Sequence, residues 1–92
     1  MAERDTLETK LTSFSDEANL FIEVFDSEED KKLLQEVASL RRSMFLAKGV
    51  QQSVNIVQKK WQELCDSKIK KASPRIVGAT IYIVGLGDQF LN

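Results

Sequence analysis

The sequence predicts a mainly α domain of three to four helices, and three observations carry that expectation. Apolar residues recur at four-and-three spacing in three separate stretches, as one face of a helix requires. Start and stop residues stand at the ends of those stretches: Ser27 ahead of three acids, Gly49 after a basic stretch, and Ser73 followed by Pro74. From Ile76 onward the chain is apolar on every side, which for a helix means burial all round. A chain of 92 residues has room for one such central element in one domain spanning 1–92, with the other segments packed around it.

The first element is read from Leu7, Leu11, Phe14, Ala18 and Phe21, which share one helical face. Ser13 and Ser15 interrupt it, and Ser15 could instead cap a shorter helix from Asp16 to Phe25. On either reading Leu20, Phe21, Val24 and Phe25 form a dense apolar patch that needs a partner. The second element is expected near 28–47. Ser27 supplies a capping hydroxyl, and Glu28, Glu29 and Asp30 suit the positive end of the helix dipole. Leu33, Leu34, Val37, Leu40, Met44 and Phe45 mark its apolar face, Arg41 and Arg42 sit toward its far end, and Gly49 stops it in the C′ position.

The third element, near 50–68, has the cleanest pattern. Val50, Val54, Val57, Trp61 and Leu64 make two heptads of a packing or oligomer seam, which Ile56 and Cys65 widen. About seven residues then lead to the last element, so the two are expected to be adjacent and antiparallel. The last element, 73–86, is read as a helix that Ser73 caps and Pro74 opens. A β-strand is the alternative. Its β-branched content is high, and Gly78, Gly85 and Gly87 each cost a helix roughly 0.8–1 kcal/mol relative to Ala. The Gly85-Leu86-Gly87 tripeptide lacks the third glycine and following helix of a phosphate loop and reads as a turn.

Composition narrows the function classes. With 29% charged and 42% apolar residues the chain is an ordinary globular sequence, not a disordered one. The apolar run from Ile76 to Leu86 falls short of the ~20 residues that span a bilayer, so no membrane partner is expected. The opening Met-Ala-Glu-Arg-Asp shows no signal-peptide pattern, and a single cysteine cannot form an internal disulfide; both point to an intracellular setting, cytoplasmic or nuclear. There is no histidine, so the commonest general base and zinc ligand is missing. No catalytic residue, metal, cofactor or small-molecule substrate is therefore expected. Cys65, beside seam position Leu64, reads as a small buried hydrophobe, with a thiol activated by nearby lysines as the alternative. Trp61 reads as a core anchor rather than a platform for a stacked base.

Charge is distributed unevenly. Residues 1–36 carry a net −7 and residues 37–92 a net +6. The two halves can neutralise each other within the fold or across a dimer, or the basic half can serve as a partner-binding face. Lys68, Lys70, Lys71 and Arg75 gather around one loop and helix start, a basic edge suited to an acidic protein or to phosphates.

From Leu46 to Phe90 the chain also resembles one cyclin-like repeat of the transcription factor IIB family, with Asp30 to Phe45 standing for the preceding helix. The matching residues are Val50-Gln51 after a short loop, Ser73-Pro74 opening the central helix, and the Ile81-Tyr82 pair. That helix is richer in alanine in the family, and the last two helices of the repeat have no counterpart here, so base readout is not implied. The resemblance implies compact helical packing and contact with nucleic acid or the transcription machinery. The residues themselves imply a non-enzymatic interaction module, a small helical adaptor or inhibitor that binds a protein partner or its own kind.

Overall fold

The computed structural model describes residues 3–91, with side chains from Thr6 onward; Met1 and Ala2, which open the N-terminal pentapeptide, lie outside the described residues. Four α-helices follow one another: α1 (Glu3–Ile22), α2 (Glu28–Leu46), α3 (Gln51–Leu64) and α4 (Pro74–Leu91), with a π-helical turn at Cys65–Ile69 between the last two. No strand occurs among the described residues.

α1 runs unbroken through Ser13 and Ser15, so the longer of the two readings holds. Phe14, Ala18 and Ile22 fix it, each with at most 1% of its surface exposed, and burial of that stripe outweighs the weak helix preference of two serines. The apolar patch at its end divides. Phe25 is buried and Phe21 half-buried, whereas Leu20 and Val24 are each 64% exposed.

α2 begins as its sequence prescribes. The Ser27 hydroxyl accepts from the Asp30 amide at 3.3 Å, and Glu28, Glu29 and Asp30 fill the first turn. Leu34 and Val37 are fully buried. Arg41 and Arg42 stop short of the last turn and act as cross-helix ties. Arg42 donates to Ser15 Oγ on α1 at 3.3 Å, and Arg41 donates to the Val84 carbonyl at 3.3 Å and pairs with Asp88 on α4. The C-cap is Ala47, so Gly49 lies two residues past it rather than at C′. With φ of 92°, Gly49 takes the left-handed turn that swings the chain into α3.

α4 is a helix, longer than its predicted 73–86 span, and it forms the centre of the molecule by packing on both α1 and α2. Ile76, Ala79, Thr80, Ile83, Leu86, Gly87 and Leu91 are buried. Thr80 satisfies its hydroxyl on the Ile76 carbonyl, 2.9 Å away. The Gly85-Leu86-Gly87 turn does not form, because Leu86, Phe90 and Leu91 still have core to cover one turn further on. At Gly87 an added Cβ would press on the Arg41 side chain, which would have to shift.

Candidate interaction site

α3 is held differently from the other helices. It packs on α2, and α4 meets this part of the chain through the π-turn, so an adjacent antiparallel α3–α4 pair is not what forms. The reason lies in the register of the seam. After Leu64 the heptad would continue at Lys68 and Lys71, yet the residues that turn inward are Ile69, 7% exposed, and half-buried Ala72, one position later each. One extra residue in the helix absorbs that offset, and the Lys70 amide reaches back five residues to the Cys65 carbonyl at 2.8 Å. The signal was present in the sequence as a slip of the apolar pattern by one.

The seam itself is only partly closed. Leu64 is buried, Val54, Val57 and Trp61 are half-buried, and Val50 is 55% exposed. Ile56, expected to widen the buried face, points away and is 56% exposed. Between the end of α2 and α3 this leaves a groove of about 410 Å3 with Met44, Phe45, Val54 and Trp61 as apolar walls. Arg41 and Lys48 border it, and no carboxylate lines it. Lys48 Nζ lies 5.7 Å from the Phe45 ring centre, a cation resting on the groove's own aromatic wall.

The four residues of the basic edge, Lys68, Lys70, Lys71 and Arg75, are all exposed, and two of them have contacts with other parts of the chain. Lys68 pairs with Glu36 of α2 at 3.4 Å, a tie between the basic and acidic halves of the chain. Arg75 lays its guanidinium over the Phe25 ring, 4.4 Å from the centroid. Ser73 accepts through its carbonyl from the Val77 amide, which starts α4.

Cys65 is half-buried and unpaired, at the start of the π-turn. Burial first, and the neighbouring Asp66 carboxylate second, push its pKa up, so it is held as a thiol rather than activated as a thiolate. Among the described residues no group of three His, Cys, Asp or Glu is placed to hold a metal ion, and no helix is long and apolar enough to cross a membrane.

No family model, no curated protein and no solved structure matches this chain. Of the three pairs quoted for the transcription factor IIB resemblance, Val50-Gln51 and Ser73-Pro74 stand at the starts of α3 and α4, and Ile81-Tyr82 lies on the exposed side of α4.

Proposed function

We propose that the chain is a non-enzymatic helical interaction module, an adaptor or inhibitor, that receives an amphipathic helix of a protein partner in the groove between α2 and α3. The observation that carries this reading is the seam left half-open. Met44, Phe45, Val54 and Trp61 present aromatic and aliphatic walls that the chain covers only in part. Helix-in-groove recognition uses such walls to hold anchors spaced three and four residues apart. Lys48 stands at the border with no acid in the lining, while Arg41 is already paired with Asp88, so the fitting partner carries apolar anchors and an acidic residue that meets Lys48. A transcription-related module that contacts nucleic acid is the second reading. The sequence resemblance and the exposed Lys70 and Lys71 favour it, while the engagement of Lys68 with Glu36 and of Arg75 with Phe25 leaves it a thinner phosphate-binding edge.

Panning a phage-displayed peptide library against the full chain tests the proposal. The expected binders are amphipathic helices that carry an acidic residue and change the emission of Trp61, the only tryptophan. Met44→Ala and Val54→Asp, each checked for unchanged circular dichroism, should weaken them by about ten-fold or more. Binders indifferent to both substitutions would overturn the groove. Salt separates the second reading, because phosphate-driven binding loses nearly one log unit of affinity per neutralised phosphate for each decade of salt.

A further inference from the structure

The most apolar stretch of the sequence is expected to be buried all round, yet the structure leaves one full side of α4 bare. Pro74, Gly78, Ile81, Gly85 and Asp88 follow four-three-four-three spacing along a single line of the helix, and every one of them is exposed. Ile81 is 67% exposed and its neighbour Tyr82 47%. The surface continues onto α1. Tyr82 packs on Phe21 with ring centroids 4.3 Å apart and the rings tilted by 39°, and Leu20 and Val24, close to Phe21 along the chain, are exposed. This patch is separate from the groove between α2 and α3.

We infer that this face of α4 is the contact surface of a homodimer in which two copies of the helix cross antiparallel about a two-fold axis between Ile81 and Tyr82. The occupant is set by self-complementarity. In a two-fold contact, whatever residue i meets must meet residue i in return. About the midpoint of Ile81 and Tyr82, Gly78 is the mirror position of Gly85, and Arg75 is that of Asp88. An antiparallel second copy therefore brings Arg75 of each chain beside Asp88 of the other, at both ends of the contact. A parallel copy would set like charges together, which is unfavourable. The Asp88 side chain remains 62% exposed while it pairs with Arg41. Arg75 lies on the Phe25 ring and is also exposed, so both are within reach of a partner.

The glycines agree with this arrangement. A Cβ built on Gly78 or Gly85 meets nothing within 4 Å, so no neighbour in the chain excludes alanine there. Each glycine costs the helix roughly 0.8–1 kcal/mol against Ala. Close approach of a second backbone at two positions related by the same axis accounts for that cost. Ile81 and Tyr82 between them supply the apolar area.

Sedimentation equilibrium over a wide concentration range, combined with cross-linking, tests the dimer and its register. The wild-type chain should dimerise, and Ile81→Asp should weaken the dimer by about ten-fold or more with helix content unchanged, because the site is exposed in the monomer. In a Cys65→Ser background, Gly78→Cys mixed with Gly85→Cys should form a mixed disulfide-linked dimer. Neither should cross-link readily with itself, since like positions lie about 10 Å apart along the axis. A monomer at every concentration would overturn the inference. So would a dimer that survives Ile81→Asp but is lost with Val54→Asp, because the groove would then be the self-association site. Loss of the dimer in Ile81→Asp with groove peptides still bound would establish two independent surfaces.

Discussion

α3 and α4 differ in a way that separates two meanings of an apolar pattern. α3 carries the most regular heptads in the chain, yet it lies at the flank with one buried residue, Leu64. α4 has a less regular pattern and three glycines, yet it sits at the centre with seven buried residues. Regular spacing says that a helix has one sticky side; it does not say how much of that side the same chain covers. Total apolarity says that a helix belongs in the middle, and here even the middle has an outward face. The starts of the helices differ too. Ser27 caps α2 through its side chain, whereas α3 begins at Val50, which offers no side-chain cap and leaves its first amides to the backbone and solvent.

The largest test of this contrast is core truncation. Ile83 is completely buried in α4, and Ile83→Ala should lower stability by about 2–5 kcal/mol, enough to threaten folding of a domain this small. Val54→Ala on half-buried α3 should lower it by about 1 kcal/mol. Urea unfolding of both variants reads the difference directly. Similar losses at the two sites would mean that α3 is as integral to the core as α4.

A second, smaller effect concerns local opening. α3 has an uncapped start, a partly open seam and a π-turn at its end, so its amides should exchange by local opening below the global unfolding free energy. In the middle of α4, from Ala79 to Ile83, exchange should require global unfolding. Hydrogen exchange read by NMR should show α3 less protected by about ten-fold or more. Equal protection across the two helices would remove the distinction between flank and centre.

How much of this was legible in the sequence follows from what each residue had to decide. Ser27 and Ser73-Pro74 are local signals that stand at the helix starts they were expected to bound, and Gly49 turns the chain two residues past the C-cap of α2. The helical state of 73–86 could be argued without the structure, but its extension to Leu91 could not. That extension depends on Leu86 and Leu91 finding core, and on Arg41 crossing from α2 over Gly87. The exposure of the basic edge could be read from its run of charges, but the engagement of Lys68 with Glu36 and of Arg75 with Phe25 could not, because those partners lie far away along the chain. The groove was half-visible: its α3 wall was the predicted seam, while Met44 and Phe45 were assigned to a core face that α2 does not fully bury.

The smallest effect, and the one that sharpens the contrast within α4 itself, concerns its glycines. Gly85→Ala should stabilise the monomer by about 0.8–1 kcal/mol, because the new methyl group meets nothing within 4 Å and only the helix-propensity gain remains. Gly87→Ala starts from the same gain and loses it. Its Cβ would press on Arg41 at Nε, Cγ and Cδ, forcing the guanidinium away from the Val84 carbonyl and from Asp88. A part-buried hydrogen bond to a charged group contributes about 1.5–3 kcal/mol, whereas the ion pair, with Asp88 mostly exposed, adds little. The two terms oppose each other, and Gly87→Ala should come out destabilising by about 0.5–2 kcal/mol. Thermal unfolding in dilute solution, below the dimer range, keeps self-association out of the comparison. If Gly87→Ala were as stabilising as Gly85→Ala, Arg41 would be free to move aside, and the tie between α2 and α4 would contribute nothing to the fold.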